Sequence, residues 1–233
     1  MVNRYKTVIF DMDETLLNSR GVRAIAHEWA YEAFRKTLRH YGLSLSMTEI
    51  DSLFLAPLHS DGEAGVRRFC NRFGLDTEEF WARREADVIE AKIEAMRTGK
   101  IKLCDGSEAI INYLSGQFYL AVVSDSQQAC VDYALAHFHL KPHFKIWYGR
   151  SSDLPSLAKR KPSPYYINKV LSELNMRRAD VILVDDSTVG ILAANRAGID
   201  SVLIDNADAD KGLKYESKPT FSVLNIGELK QVI

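Results

Sequence analysis

Short apolar runs alternate with longer amphipathic segments over most of the chain. The first apolar run is Val8-Ile9-Phe10, and the later ones cover 119–123, 145–148, 181–184 and 201–204. Segments with helical periodicity lie between them, at 108–114, 129–138, 164–174 and 189–197. Short apolar strands that alternate with helices are typical of parallel sheets buried on both faces. The pattern predicts right-handed βαβ units and an α/β fold with a doubly wound parallel sheet.

The segment between the first run and residue 100 has a different pattern. Its apolar residues recur at helical spacing, and no convincing strand is present. One such stripe consists of Ala26, Trp29, Ala30, Ala33, Phe34 and Leu38. Breaks at Tyr41-Gly42, Ala56-Pro57, Asp61-Gly62 and Phe73-Gly74 divide the segment into about four helices, and Asp76 with Glu79 is typical of a helix start. We therefore predict a catalytic core of residues 1–17 and 100–233 and an inserted helical domain of residues 18–99.

Polar side chains follow three of the predicted strands directly. They are Asp11 and Asp13, then Ser124, then Asp185 and Asp186, while Lys161 stands before Pro162. The carboxyl ends of parallel strands meet at one edge of the sheet, where α/β proteins bind their ligands. Carboxylates packed together repel one another unless a cation neutralises them, and oxygen ligands of this kind suit Mg²⁺. The pattern predicts a magnesium site with a phosphate site beside it.

The first acidic pair has the chemistry of a phosphoryl-transfer centre. The carboxylate of Asp11 can attack phosphorus and form an aspartyl-phosphate. Asp13 can then protonate the leaving oxygen and later activate water. A simpler interpretation is that the two residues only cap a turn.

The other polar groups have both a functional and a simple structural interpretation. Ser124, after a strand and before a helix, can donate to a phosphate or cap that helix. Lys161 can present its charge to a phosphate and to Asp11, or lie at the surface. Asp185 and Asp186 end a buried strand, where adjacent carboxylates are costly without a cation, although they too can cap a helix together with Ser187.

Composition and charge narrow the classes of function. The 233 residues are 46% apolar, and 30 basic side chains nearly balance 31 acidic ones, so the overall charge does not call for nucleic acid or an anionic membrane. Three cysteines without CxxC spacing argue against a disulfide framework and a zinc site. No apolar run is long enough for a signal-peptide core or a membrane span. We expect a cytoplasmic protein, a monomer or weak homodimer, that binds a small phosphorylated metabolite.

These motifs, in this order, resemble those of the haloacid dehalogenase-like hydrolase superfamily. The superfamily pattern is DxDxT or DxDxV, a strand-ending Ser or Thr, a Lys, and a strand-ending acidic pair. The segment 185–198, DDSTVGILAANRAG, is close to the pattern of the β-phosphoglucomutase and phosphoglycolate phosphatase branch. The resemblance implies a Rossmann-like core, an α-helical cap and Mg²⁺-dependent phosphoryl transfer. It also implies that Asp13 gives the metal its backbone carbonyl and that Asp185 and Asp186 are ligands, whereas other branches carry a further acid at the position of Gly190.

Three positions depart from the superfamily pattern. Glu14 replaces the usual glycine, Asp125 stands where many relatives have asparagine, and Cys104-Asp105-Gly106 replaces an aromatic-Pro-Gly sequence. We expect Glu14 to point away from the phosphate. We assign Asp125 to the phosphate site as well. A negative side chain next to a bound phosphate is unfavourable unless it faces the cap, so we expect Asp125 to face the cap and to help select the substrate.

Several alternatives to a phosphatase remain open. A phosphosugar mutase shares every motif, and one sequence hardly separates the two activities. A dehalogenase would lack Asp13, and a phosphonatase would need an imine-forming cap lysine, for which Lys36 and Lys92 are weak candidates because they lie in charged helical stretches. A receiver domain has its acidic pair first and no long helical insert. A non-catalytic phosphate-binding or scaffold protein would not need the complete charged set.

Overall fold

A six-stranded parallel sheet forms the centre of the protein, whose computed structural model describes residues 4–21, 26–204 and 218–233. The strands of this sheet are β1 (Thr7–Phe10), β4 (Tyr119–Gln127), β5 (Phe144–Arg150), β6 (Val181–Asp185), β7 (Asp200–Ile204) and β8 (Phe221–Val223). Two further short strands, β2 (Leu17–Asn18) and β3 (Lys102–Leu103), form a separate antiparallel pair. The sheet order is β5-β4-β1-β6-β7-β8, and all neighbouring pairs are parallel. The predicted doubly wound α/β fold is confirmed, with β8 as an additional edge strand.

Nine α-helices lie within the described residues. They are α1 (Glu28–His40), α2 (Met47–Ile50), α3 (Ala56–Asp61), α4 (Glu63–Phe73), α5 (Thr77–Arg97), α6 (Ser107–Ser115), α7 (Gln128–His137), α8 (Tyr165–Glu173) and α9 (Thr188–Ala197). The predicted break at Ala56-Pro57 is wrong, because a π-helical turn, Asp51–Leu55, joins α2 to α3. Pro57 lies just after this π-helical turn and has no N–H to donate, so the continuous helix lacks one backbone hydrogen bond there.

The central strand β1 separates two hydrophobic layers. Successive side chains of a strand point to opposite faces. Val8 and Phe10 accordingly belong to the core on one face, with residues of α6 and α7. Ile9 belongs to the core on the other face, with residues of α8 and α9. Burial on both sides explains why Val8 to Phe10 form an unbroken apolar run and why the charged residues Asp11 and Asp13 come only after the strand.

Helices α1 to α5 form the helical insert, which has an aromatic core of its own. Phe34 stacks on Phe54 with ring centroids 4.4 Å apart, and Phe69 and Phe80 close the cluster. Leu154 and Leu157, which follow β5, belong to the same cluster. The insert therefore packs on the carboxyl edge of the sheet, and the two-stranded ribbon β2–β3 joins it to the core.

Helix α5 contacts the residues at the end of the sheet, and we call this contact the seam. It consists of Trp81 and Glu85 of α5 with Ser152, Arg150 and Gln127 of the core. The Trp81 indole N–H donates to the Ser152 carbonyl at 2.9 Å. One turn further on, Glu85 is 1% exposed and accepts hydrogen bonds from Arg150 at 2.9 Å, from Arg84 and from Gln127. A buried carboxylate is tolerated here because two guanidinium groups share its charge.

Two further observations concern the cysteines and the helices. Cys70, Cys104 and Cys130 are free thiols. Among the helices of the described ranges, none has both the length and the apolar character that a membrane crossing requires.

Substitution of Glu85 tests the seam. Glu85→Ala leaves the buried Arg84 and Arg150 without their shared carboxylate, so we expect the free energy of unfolding to fall by roughly 3–5 kcal/mol. Equilibrium unfolding in urea measures this change. Glu90→Ala, which removes an exposed glutamate from the same helix, is the control and should change the unfolding midpoint little. Equal effects of the two substitutions would contradict the role assigned to the seam.

Candidate metal and phosphate site

The order of the strands brings the predicted site residues to one edge of the sheet. Strands β4, β1 and β6 are neighbours, and their register places Ser124 of β4 beside the carboxyl ends of β1 and β6, where Asp11 and Asp185 lie. The Asp11 N–H donates to the Val184 carbonyl at 2.9 Å, which fixes the chain as it leaves β1.

Three of the predicted carboxylates form a compact cluster. Oxygen atoms of Asp11, Asp185 and Asp186 lie within 4.8 Å of one another, and Asp11 and Asp185 are only 7% and 1% exposed. Burial and the neighbouring Asp185 raise the pKa of Asp186 to about 7, and burial raises the pKa of Asp11 well above its ordinary value. Hard oxygen donors that repel one another fit a divalent cation such as Mg²⁺.

Lys161 brings a positive charge into contact with two of these carboxylates. Its ammonium donates to Asp11 and, at 2.7 Å, to Asp185. Although burial opposes the charged form, these two carboxylates raise the pKa of Lys161 above its ordinary value. The predicted contact between Lys161 and the Asp11 carboxylate is present in the structure.

Asp125 contacts the backbone of the Lys161 loop. One of its oxygens accepts a hydrogen bond from the Lys161 N–H at 3.0 Å, and burial raises its pKa despite the nearby lysine. This contact gives Asp125 a part in placing Lys161, which the sequence did not indicate. Its predicted contact with substrate stays a prediction.

Ser124 lies inside its strand, which corrects one expectation. Strand β4 continues to Gln127, with an irregular register after Val123, and α7 begins only at Gln128. The prediction that Ser124 follows the strand and caps the next helix is therefore wrong. Its hydroxyl, which is buried, accepts a hydrogen bond from the Ser126 N–H at 3.2 Å.

The turn after β6 holds Asp185 in place. Ser187 donates to one Asp185 oxygen through its N–H at 2.9 Å and its hydroxyl at 2.6 Å. The same hydroxyl accepts from the Gly190 N–H at 3.0 Å, so the N-cap of α9 is Ser187 and not one of the two aspartates. A Cβ at residue 190 would lie 2.0 Å from the Asp185 carboxyl carbon. Only glycine leaves room for Asp185 at this position.

Glu14 occupies the glycine position of the first motif and has a glycine-like backbone. Its φ of 60° lies in the left-handed region that side chains usually avoid. Its carboxylate accepts from the Ser19 hydroxyl at 2.8 Å and from the Arg20 N–H at 2.7 Å. The side chain is thus bound to the loop that leads into the insert.

Asp13 has a separate set of partners. The Lys92 ammonium, from α5, donates to Asp13 Oδ1 at 2.5 Å, and the Ser126 hydroxyl donates to Oδ2 at 2.6 Å. Although burial alone would raise the pKa of Asp13, Lys92 and Ser126 lower it. Lys92 is 3% exposed and lies on the buried face of α5, so the prediction that it belongs to a charged helical face is wrong. The available signal was its position in the buried stripe of α5, seven residues after Glu85.

Comparison with known proteins agrees with this geometry. A family model described as haloacid dehalogenase-like hydrolase matches residues 8–204. The fructose-1-phosphate phosphatase YqaB of Escherichia coli strain K12 is 25% identical over 207 residues, which cover 87% of this chain and 97% of YqaB.

Solved structures share the fold over nearly the full length. A crystal structure of YfnB from Bacillus subtilis bound to magnesium has a TM-score of 0.67 at 19% identity and covers 99% of both chains. A protein described as a predicted phosphoglycolate phosphatase from Haemophilus somnus 129pt has a TM-score of 0.73 at 19% identity, with coverage of 100% of this chain and 99% of that chain.

Substitution of Gly190 tests the geometry of the carboxylate cluster. Gly190→Ala places a methyl group on the Asp185 carboxylate, so we expect Mg²⁺ to bind at least about tenfold more weakly while the protein remains folded. Titration calorimetry measures the affinity. Gly116→Ala is the control, because the nearest neighbour of its Cβ is 3.9 Å away. Unchanged affinity in Gly190→Ala would show that Asp185 does not take part in cation binding.

Proposed function

The chain belongs to the haloacid dehalogenase-like hydrolase family, and we propose that it is a Mg²⁺-dependent phosphatase that hydrolyses a small phosphate monoester. The observation that carries the proposal is the convergence of Asp11, Lys161 and the acidic pair at one buried edge of the sheet. A phosphate monoester bound there would meet a nucleophile, a fixed positive charge and the ligands of a cation. The similarity to a fructose-1-phosphate phosphatase supports the same class of substrate.

The reaction has two steps that share Asp11 and Asp13. In the first, an Asp11 oxygen forms a bond to phosphorus as the ester P–O bond breaks, and a proton passes from the Asp13 carboxyl group to the leaving oxygen. In the second, Asp13 takes a proton from water as the water oxygen bonds to phosphorus and the bond to Asp11 breaks. Inorganic phosphate is released, and both side chains return to their starting states.

The cation and phosphate ligands follow from the positions of the side chains. Asp11, Asp185 and Asp186 would hold Mg²⁺, with the Asp13 backbone carbonyl that the family pattern implies. Bound there, Mg²⁺ would offset negative charge on the phosphoryl oxygens. Ser124 and Lys161 would hold the phosphate, with Asp125 fixing the Lys161 loop.

The helical insert would act as a cap over this edge. We assign residues 18–99 to the cap and residues 1–17 and 100–233 to the catalytic core. Closure over the site would exclude bulk water and strengthen the electrostatic contacts inside. The proposed setting is the cytoplasm, in which free thiols persist, with a small phosphorylated metabolite as substrate and a monomer or weak homodimer as the active form.

Phosphate release from a panel of small monoesters tests the activity. With Mg²⁺ we expect turnover, and we expect chelator to abolish it. Asp11→Asn removes the nucleophile and should lower kcat by at least about a thousandfold, whereas the exposed Asp132→Asn should not. Release from none of the esters, with isomerisation of a hexose phosphate instead, would replace the phosphatase by a mutase.

The pH dependence of Mg²⁺ binding tests the carboxylate cluster separately. Cation binding requires the carboxylate form, and the pKa of Asp186 is about 7 in the absence of metal. Protons therefore compete increasingly as the pH falls through 7. We expect the apparent Kd to be nearly constant above about pH 8 and to rise below pH 7, with proton release on binding. Calorimetry in two buffers of different ionisation enthalpy measures both, and a constant Kd from pH 6 to 8 would contradict the prediction.

A further inference from the structure

A buried lysine from the insert contacts the proposed acid–base residue. Lys92 lies on α5, 79 residues from Asp13 in the sequence, and its ammonium is 2.5 Å from Asp13 Oδ1. The same ammonium donates to the Ser126 hydroxyl at 2.6 Å. Ser126 in turn donates to Asp13 Oδ2 at 2.6 Å. Lys92, Ser126 and Asp13 thus form a closed ring of three side chains, each hydrogen-bonded to the other two.

The ring is held from both sides of the seam. Ser126 belongs to β4 of the core, whereas Lys92 belongs to the insert. The Trp29 ring lies 5.7 Å from the Lys92 ammonium, and the Trp29 indole N–H is bonded to the Ser19 carbonyl at 2.8 Å. Lys92 thus has little freedom to move while the insert is seated, and Asp13 has one donor on each oxygen.

From this geometry we propose that Lys92 is a positioning residue for Asp13. The inference rests on the proposed phosphatase function. Lys92 orients the Asp13 carboxyl group toward the leaving oxygen, and it does so only when the insert lies on the core. Proton transfer requires donor and acceptor within hydrogen-bond reach, so a carboxyl group that rotates freely loses part of its effect. The contact therefore makes leaving-group protonation depend on cap closure.

Two other roles for Lys92 fit its contacts less well. A lysine that binds the phosphate would lie beside the nucleophile, and that position belongs to Lys161, which contacts Asp11. An imine-forming lysine needs its nitrogen free to bond to a carbonyl carbon, whereas the Lys92 nitrogen is held by Asp13 and by the Ser126 hydroxyl. Positioning requires only the contacts that are present.

The experiment uses aryl phosphates with different leaving groups. Good leaving groups such as 4-nitrophenolate depart without protonation, whereas phenol and more basic leaving groups need it. kcat/KM is measured for wild type, Lys92→Met and Lys92→Arg with Mg²⁺. Lys36→Met is the matched control, because Lys36 is a lysine of the insert that pairs with Glu90 and Asp87 away from the site.

We expect a loss that grows with the basicity of the leaving group. Lys92→Met should lower kcat/KM at least about tenfold more for phenyl phosphate than for 4-nitrophenyl phosphate, and Lys92→Arg should recover part of the difference. Asp13→Asn should show the same trend. Adding Lys92→Met to Asp13→Asn should cost little more, because the two residues act as a unit. Lys36→Met should leave the trend of the wild type unchanged.

Three results would overturn the inference. They are an equal loss on all aryl phosphates, additive effects of Lys92→Met and Asp13→Asn, and borohydride-dependent labelling of Lys92 by an oxo-phosphonate. If Lys92→Met does not fold, Lys92→Arg and Lys92→Gln give the same comparison. A wild-type protein that releases phosphate from no ester would refute the proposed function itself, which is a different outcome from an active wild type with a uniform loss in the Lys92 variants.

Discussion

Repulsion among three closely spaced carboxylates is the constraint on which the rest of the site depends. Asp11, Asp185 and Asp186 are held together by the ends of β1 and β6, and these strands cannot move apart without breaking the sheet. The surrounding chain offsets the repulsion with Lys161 and with donors from Ser187. Burial, together with the repulsion that remains, raises the pKa of Asp11 and of Asp186, and a divalent cation would relieve both effects.

Helix α5 connects this site to the stability of the whole protein. Its buried face runs through Trp81, Glu85, Val88 and Lys92 at helical spacing. Trp81 and Glu85 contact Ser152 and Arg150 of the core, and Lys92, two helical turns after Glu85, contacts Asp13. All of these contacts come from one helix. The ion pair between Glu85 and Arg150 therefore also fixes the distance between Lys92 and Asp13.

The sequence predicted those parts of the protein that depend on local pattern. Apolar runs located β1, β4, β6 and β7, and the polar residues at strand ends identified the site, because a parallel sheet brings such ends together. Lys92 and Ser126 were missed because their roles depend on how the insert docks, which no local periodicity encodes. The same applies to Glu85, which resembles any charged helical residue until Arg150 is placed beside it. The sequence did contain one indication. Glu85 and Lys92 are seven residues apart and lie on the same helical face as the apolar residues Trp81 and Val88.

Asp11 and Asp13 lie two residues apart and experience opposite environments. Burial raises the pKa of Asp11, whereas the pKa of Asp13 is lowered because Lys92 and Ser126 outweigh burial. The first step of the proposed mechanism needs the reverse, an ionised Asp11 and a protonated Asp13. A cation shared with Asp185 and Asp186 favours the Asp11 carboxylate, and a phosphate dianion close to Asp13 favours its protonated form. In the proposed mechanism, cation and substrate together would therefore give Asp11 and Asp13 the protonation states that the first step needs.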